Sequence, residues 1–527
     1  MPRIPDAGYI LLCIQTDNNL ASAKVLSPFF NRFKNWILLF LPLLFILMKQ
    51  LATAFLLLFS ASAMAQTAVN GYEIKVTLKP FKNQYVYLGH YYGKQLPIVD
   101  SVKLDANSTA VFKGPKKLSG GIYLIGFPDR QNRFEFLVGK EQRFSITTDT
   151  AEIGKINFTG SPENVSFKAY QDVMGQFGRT LDGLYKKRAG SAPADSIRLT
   201  AQIDSISKQV TAYRLNVMSK EPNGMLSTLL KAMREPEVPK NPEAQKKDSL
   251  YAYRYFKTHY WDGVNFWDDR LARTPFFESR IDKYYEQLVY PNPDSVIKEL
   301  DWMLGYASAS EEMQKFLLLK FVNRYLNMKY MWEDAVFVHL FEKYFSQKNY
   351  SWLNEKGKKM ITDRAYSLMA NIMGSPAAEI ELPDSTGKNV KLYGIESPYT
   401  LVVIYDPTCG HCKETLPKID TMYNQKWKGY GLKIFAMAKQ TEGVKKDDWF
   451  NFIRQFGLKG WTHVFYSKEA EQARVSANIP SYAQLYDVQS FPTLYLLDKD
   501  KRIIAKKVTD QQVDEILAQR VKSNKSQ

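Results

Sequence analysis

Between residues 69 and 160 apolar and polar positions alternate with a period of two. The clearest run is Tyr72-Glu73-Ile74-Lys75-Val76-Thr77-Leu78, in which every second side chain is apolar. A strand with one face on a core and the other in water needs that pattern. Shorter runs follow at 84–88, 110–112, 121–127, 133–138 and 144–147, with Gly, Asn and Asp between them. This spacing predicts an antiparallel β domain over 66–160, a small sandwich or barrel.

From about 162 to 372 the period becomes helical. In 311–328, Met313, Phe316, Leu317, Phe321 and Leu326 fall near one helix face. Ser310 precedes them as a candidate N-cap, and Glu311 and Glu312 suit the first turn. Pro236, Pro239 and Pro242 mark one connector, and Pro291 with Pro293 another. An all-α middle domain over 161–373 is predicted. It shows no repeat of fixed period and no catalytic motif. Its Tyr, Trp and Phe stripes, with His259 and His339 among them, read as packing.

Beyond 374 the two periods take turns. Short β runs at 380–382 and 390–392 flank Asp384-Ser385-Thr386-Gly387, a hairpin signature. A buried strand is predicted at 400–405, then a helix at 413–427, a strand at 432–436, a helix at 447–456 and a strand at 462–466. Two further strands, 491–497 and 502–506, and a helix at 510–523 complete the chain. The alternation predicts a C-terminal α/β domain over 374–527, with a sheet flanked by helices.

The first 65 residues read as a targeting region. An apolar run from Trp36 to Leu47 is followed by Met48-Lys49-Gln50, a second apolar run at 51–59, and small residues up to Ala65. The second run has the parts of a secretory signal peptide, 48–65, cleaved after Ala65, with 1–47 an over-extended start. The periplasm is then the expected compartment. The alternative is an inner-membrane anchor over 36–59 facing the periplasm, interrupted by Lys49 and Gln50.

Composition adds limits. A chain of 527 residues is too long for one core. Hydrophobic residues at 45% and charged residues at 24% are globular values. The net charge of +17 could suit nucleic acid. The lysines are dispersed, however, and export argues the other way, so no nucleic-acid partner is expected. The Asn-x-Ser/Thr triplets at Asn107, Asn157 and Asn164 read as turn chemistry.

Cysteine usage changes the picture most. Only three are present. Cys13 falls in the segment expected to be removed, which leaves Cys409 and Cys412 in Tyr405-Asp406-Pro407-Thr408-Cys409-Gly410-His411-Cys412-Lys413. Two cysteines at this spacing, at a strand-to-helix junction, can close and reopen a small disulfide. A zinc site would need a second Cys/His pair, and a haem attachment site would need His where Lys413 stands. A purely structural disulfide closes too short a loop to stabilise much. The expected redox group is therefore the disulfide of Cys409 and Cys412 itself, with no metal and no bound cofactor. At a helix mouth, free N–H groups and the macrodipole favour a thiolate. Cys409 is the expected nucleophile, with His411 and Lys413 adding positive charge, and Cys412 one turn on is the resolving thiol.

A strand, Cys409-Gly410-His411-Cys412 opening a helix, and a later Ser490-Phe491-Pro492-Thr493 together resemble the thioredoxin superfamily. The hairpin region 374–393 and the insertion at 440–461 resemble the TlpA/ResA-like thiol–disulfide oxidoreductases. The β-plus-helical part upstream is similar to the large exported members of Bacteroidetes. The resemblance implies a thioredoxin-like fold and a cis bond before Pro492, facing the cysteines. It also implies that the Phe491 backbone pairs with an extended substrate and that Pro417 kinks the helix. Protein thiols and disulfides would be the substrates, with an electron-donating membrane or periplasmic partner. A homodimer would set two sites across a cleft.

Departures are also visible. Thr408 replaces an aromatic, and Val403 stands where thioredoxins bury an acid. Thr415 stands where many TlpA/ResA-like proteins place Glu, which leaves adjacent Glu414 as the candidate proton acceptor for Cys412. The Gly410-His411 pair resembles disulfide isomerases and predicts a potential between thioredoxin and the strong oxidants. Two other functions fit the sequence. One is a peroxiredoxin-like peroxidase, which Asp406-Pro407-Thr408-Cys409 matches loosely. The other is a partner-binding protein with a redox-sensing domain.

Overall fold

A computed structural model describes residues 71–152, 155–240 and 242–525. The targeting region expected at 1–65, with Cys13, lies outside them. No helix among the described residues is long and apolar enough to cross a membrane.

Eight strands come first: β1 (Tyr72–Lys79), β2 (Tyr85–His90), β3 (Ile98–Lys103), β4 (Thr109–Gly114), β5 (Gly121–Gly126), β6 (Arg133–Val138), β7 (Arg143–Asp149) and β8 (Ile156–Thr159). They form two four-stranded sheets, in orders β4-β1-β7-β8 and β3-β2-β5-β6. Alternate side chains meet between them, Ile74, Val76, Phe112 and Ile146 against Val86, Leu88, Ile125 and Phe136. Every pairing is antiparallel except β1 with β7, which is parallel and departs from the expected all-antiparallel pattern. Strands β3 and β8 carry no prediction. β3 is an edge strand without a buried residue, and β8 has four residues, so neither shows an apolar alternation.

The outer faces of β5 and β6 are covered by helices, and Ile122 and Leu137 belong to the helical core. Helix Pro162–Ala189 lies over β6 and β8. Its buried Asn164 accepts from Leu137 N at 2.7 Å and donates to Leu137 O at 2.8 Å, satisfying backbone that a helix face would otherwise strip of water. Nine more α-helices follow among the described residues, from Pro193–Lys220 to Glu355–Met369. Helix Glu311–Leu326 buries Met313, Phe316, Leu317 and Phe321, and Ser310 Oγ accepts from Met313 N as its cap. Many of the aromatic residues are core, among them Tyr260, Phe277 and Phe337, whereas Trp267, Trp302 and Tyr306 are exposed. His259 pairs with Asp262 at 2.8 Å, and His339 with Asp301 at 2.9 Å.

The remaining strands are β9 (Glu381–Pro383), β10 (Asn389–Lys391), β11 (Tyr399–Tyr405), β12 (Leu432–Lys439), β13 (Thr462–Tyr466), β14 (Thr493–Leu497) and β15 (Ile503–Lys506). β9 and β10 pair as a hairpin, and the others form one sheet in the order β13-β12-β11-β14-β15. The first three run parallel, and β14 and β15 are antiparallel additions. This is the thioredoxin-like arrangement. Central β11 is buried along all seven residues, as a strand covered on both faces must be. Helices Gly410–Gln425, Lys446–Phe456 and Asp510–Lys525 cover one face, and the hairpin with Tyr482 and Tyr486 covers the other. Helix Lys468–Ser476, which buries no residue and shows no stripe, carries no prediction.

Edge strand β15 is not free. Lys506 Nζ, buried, reaches the Asp334 carboxylate and donates to Asn371 O at 2.7 Å and Asn371 Oδ1 at 2.8 Å. Arg364 Nη1 donates to Asp487 Oδ2 at 2.6 Å. The helical part thus clamps the thioredoxin-like part along its edge.

Candidate active site

β11 ends at Tyr405, and the chain then turns through Asp406, Pro407 and Thr408. Asp406 makes this turn. Its Oδ1 accepts from Thr408 N at 2.7 Å and Thr408 Oγ1 at 2.7 Å, and its carbonyl accepts from Cys409 N at 3.2 Å. Such a local carboxylate bond fixes a tight turn without a glycine. The turn delivers Cys409 to the N-cap of helix Gly410–Gln425, with φ −66° and ψ 129°. The Cys409 carbonyl already accepts the first helical bond, from Lys413 N at 3.2 Å. Its side chain therefore stands where the first helical N–H groups lack partners.

Cys409 is half-buried and Cys412 fully buried. Cys412 sits among Tyr405, Leu416, Trp449 and Phe452. Burial pushes its thiol well above the usual range, against the opposing pull of a hydrogen bond from the Asp406 backbone; the nearby charges of Cys409 and Asp406 push it up further. The Cys409 side chain hydrogen-bonds to it. The two sulfurs are thus unequal, one open to solvent and one sealed.

The chain returns to this site through the loop before β14. Cys409 Sγ lies 3.8 Å from Phe491 O, and the Phe491–Pro492 bond is cis. Phe491 and Pro492 are half-exposed, which leaves backbone at the mouth of the site. Gly410 and His411 are exposed in the first helical turn, and Pro417 lies inside the helix. Glu414 points to solvent and is not among the groups that act on Cys412. Asp406 is such a group, and sequence reasoning gave it no role. The available signal was a turn-forming Asp three residues before the first cysteine. Its other oxygen, Oδ2, accepts from Thr441 Oγ1 at 2.5 Å, a partner 35 residues away that the sequence does not reveal. Behind Cys412, Tyr405 Oη and Trp449 Nε1 are buried and face each other, with no other polar partner. Among the described residues no three His, Cys, Asp or Glu side chains are grouped to hold a metal.

A stretch of 145 residues is 24% identical to the thiol-disulfide oxidoreductase ResA of Bacillus cereus, covering 27% of this chain and 74% of that one. The ResA of Bacillus thuringiensis subsp. konkukian is 26% identical over 149 residues, covering 28% and 76%. The chain is a relative of the ResA/TlpA-like thioredoxin-fold proteins. Among solved structures, a thioredoxin-like protein from Bacteroides caccae aligns at 21% identity, over 54% of this chain and 97% of that one, with a TM-score of 0.37. A domain of a possible thiol-disulfide isomerase from Cytophaga hutchinsonii aligns at 30% identity, over 30% and 97%, with a TM-score of 0.25. Two family models match before residue 370. They are described as domain of unknown function DUF4369, at residues 72–167, and domain of unknown function DUF5106, at residues 198–369.

Proposed function

We propose that the chain is an exported enzyme that reduces or reshuffles disulfides of other proteins through Cys409 and Cys412. The observation that carries this reading is the inequality of the sulfurs: a half-exposed Cys409 at a helix N-terminus, backed one turn on by a sealed Cys412. Cys409 attacks a substrate disulfide and forms a mixed disulfide, releasing one substrate thiol. Cys412 then attacks Cys409 Sγ, the second substrate thiol leaves, and the pair closes. The reverse sequence oxidises a dithiol. The half-exposed Phe491 beside Cys409 is suited to present its backbone to an extended substrate chain. Export rests on the signal-like segment 48–65. The pair would be re-reduced by an electron-donating partner at the membrane or in the periplasm.

The test is trapping. In Cys412→Ser, substrates should stay on Cys409 as mixed disulfides that a reducing agent releases, and Cys409→Ser should trap nothing. Equal trapping by the two variants would contradict the assigned roles.

A further inference from the structure

Two buried carboxylates join the helical part to the thioredoxin-like part. Asp334 takes one cation, Lys506, and Asp487 takes two, Arg364 and Lys507. Lys507 follows β15 directly and belongs to the same α/β part as Asp487. One cation is enough to spare a buried carboxylate the cost of an unpaired charge. The second comes from elsewhere: Arg364 lies on helix Glu355–Met369, and its Nη1 donates to Asp487 Oδ2 at 2.6 Å. It adds a fixed point on another part of the chain.

Asp487 stands at the root of the loop that reaches the cysteines. Val488, Gln489 and Ser490 lead from it to Phe491, whose carbonyl lies 3.8 Å from Cys409 Sγ. The φ of Asp487 is 43°, in the left-handed region that a residue with a side chain occupies at a cost. Such a residue persists where its surroundings hold it, and it is a pointer to a functional loop. Gln489 Nε2 donates to Asp487 Oδ1 at 3.2 Å, which ties the carboxylate to the middle of the loop. Just upstream, Asn371 Nδ2 donates to Leu485 O at 3.1 Å, a further contact from the helical part. The far end of the loop is held by the sheet. Thr493 Oγ1 donates to Ser490 O at 2.6 Å, and Thr493 pairs with Ile404 of β11, the strand that leads to Cys409.

We propose that Arg364 is a positioning residue for the loop of Phe491 and Pro492, acting through Asp487. The helical part thereby sets how well a polypeptide substrate is held beside Cys409. This rests on the exchange chemistry proposed above for the two cysteines. Loss of the Arg364 side chain leaves Asp487 paired with Lys507, so the buried charge stays balanced while the loop loses one of its anchors. An extended chain needs the Phe491 backbone in place, and a small disulfide does not. The two kinds of substrate should therefore respond differently.

The test uses the reduced full chain, mixed with insulin over a range of concentrations, quenched with acid and alkylated. Mass then gives the rate at which the Cys409–Cys412 disulfide forms. In Arg364→Ala the insulin concentration for half the limiting rate should rise about tenfold, within the range of coupling that such contacts carry. The limiting rate, and the rate with Ellman's reagent as a small disulfide, should be unchanged. Arg364→Lys should recover most of the loss, because the contact is one N–H bond rather than a two-pronged fork. Gln489→Ala, at an exposed position, keeps the test open if the Arg364 variants do not fold. It should shift half-saturation in the same direction, and combined with Arg364→Ala it should add less than its single effect, since both act through Asp487. Unchanged half-saturation in the folded variants would overturn the inference, as would equal slowing with insulin and with Ellman's reagent. A parent chain that reacts with neither disulfide would instead bring down the exchange reading itself.

Discussion

Cys412 keeps its proton because burial outweighs the Asp406 backbone hydrogen bond that favours a thiolate. Its folded pKa lies above that of the unfolded chain. The fold therefore has the full benefit of the neutral thiol below the ordinary thiol value of 9.0, and loses it as pH rises beyond that value. The reduced protein and its Cys412→Ala variant should accordingly differ in urea midpoint by a constant amount up to about pH 8.5. That difference should shrink above pH 9, and a gap independent of pH would show that burial of the thiol is not what matters. Tyr405 offers a second check. Its buried hydroxyl has only the Trp449 indole N–H to bond with, so Tyr405→Phe should cost about 1 kcal/mol in denaturant titration. No loss would show that the Tyr405–Trp449 contact contributes nothing. The closeness of Cys409 and Cys412 is legible in the sequence because their spacing fits one helical turn. The setting of Asp406 is not, because Thr441 reaches it only after the chain has folded through a helix and another strand.

Among the elements, period-two and helical patterns expose those with one wet and one dry face, such as β1 and helix Glu311–Leu326. They miss β3, β8 and helix Lys468–Ser476, which bury too little to leave a pattern. They also cannot show how elements of different domains are joined. The β15 clamp depends on Lys506 meeting Asp334, 172 residues away and fully buried. Burial pushes the Lys506 ammonium down, and Asp334 holds it up. Removing one partner leaves an uncompensated buried charge. Asp334→Ala should therefore cost about 3–5 kcal/mol, and replacing both partners by apolar residues of similar volume should cost far less. Chemical denaturation of the single and double variants checks this. Equal losses in both would show that packing, rather than charge, holds the edge. On a smaller scale, Ser310→Ala should cost about 1 kcal/mol through the lost cap.

Across the whole molecule, the β sandwich and the helices share a continuous core through Ile122 and Leu137, and the thioredoxin-like part is fastened to the helices by polar contacts at β15 and Asp487. The cysteine site is built from one sheet and the ends of its loops, and it is held by a larger body with an aromatic-rich core. The overall order of strands, helices and α/β units is readable from the changes of hydrophobic period near Thr159 and Met369, where the elements change type. The central claim is that Cys409 and Cys412 form one reversible two-electron couple. Its most direct measurement is equilibration of the full chain in glutathione buffers, with the state of both cysteines read by mass after alkylation. The expected result is a single transition between dithiol and Cys409–Cys412 disulfide, with a midpoint between about −270 mV, the thioredoxin value, and about −120 mV, that of the strong oxidants. Separate glutathione adducts on the two cysteines, with no internal disulfide at any ratio, would contradict it.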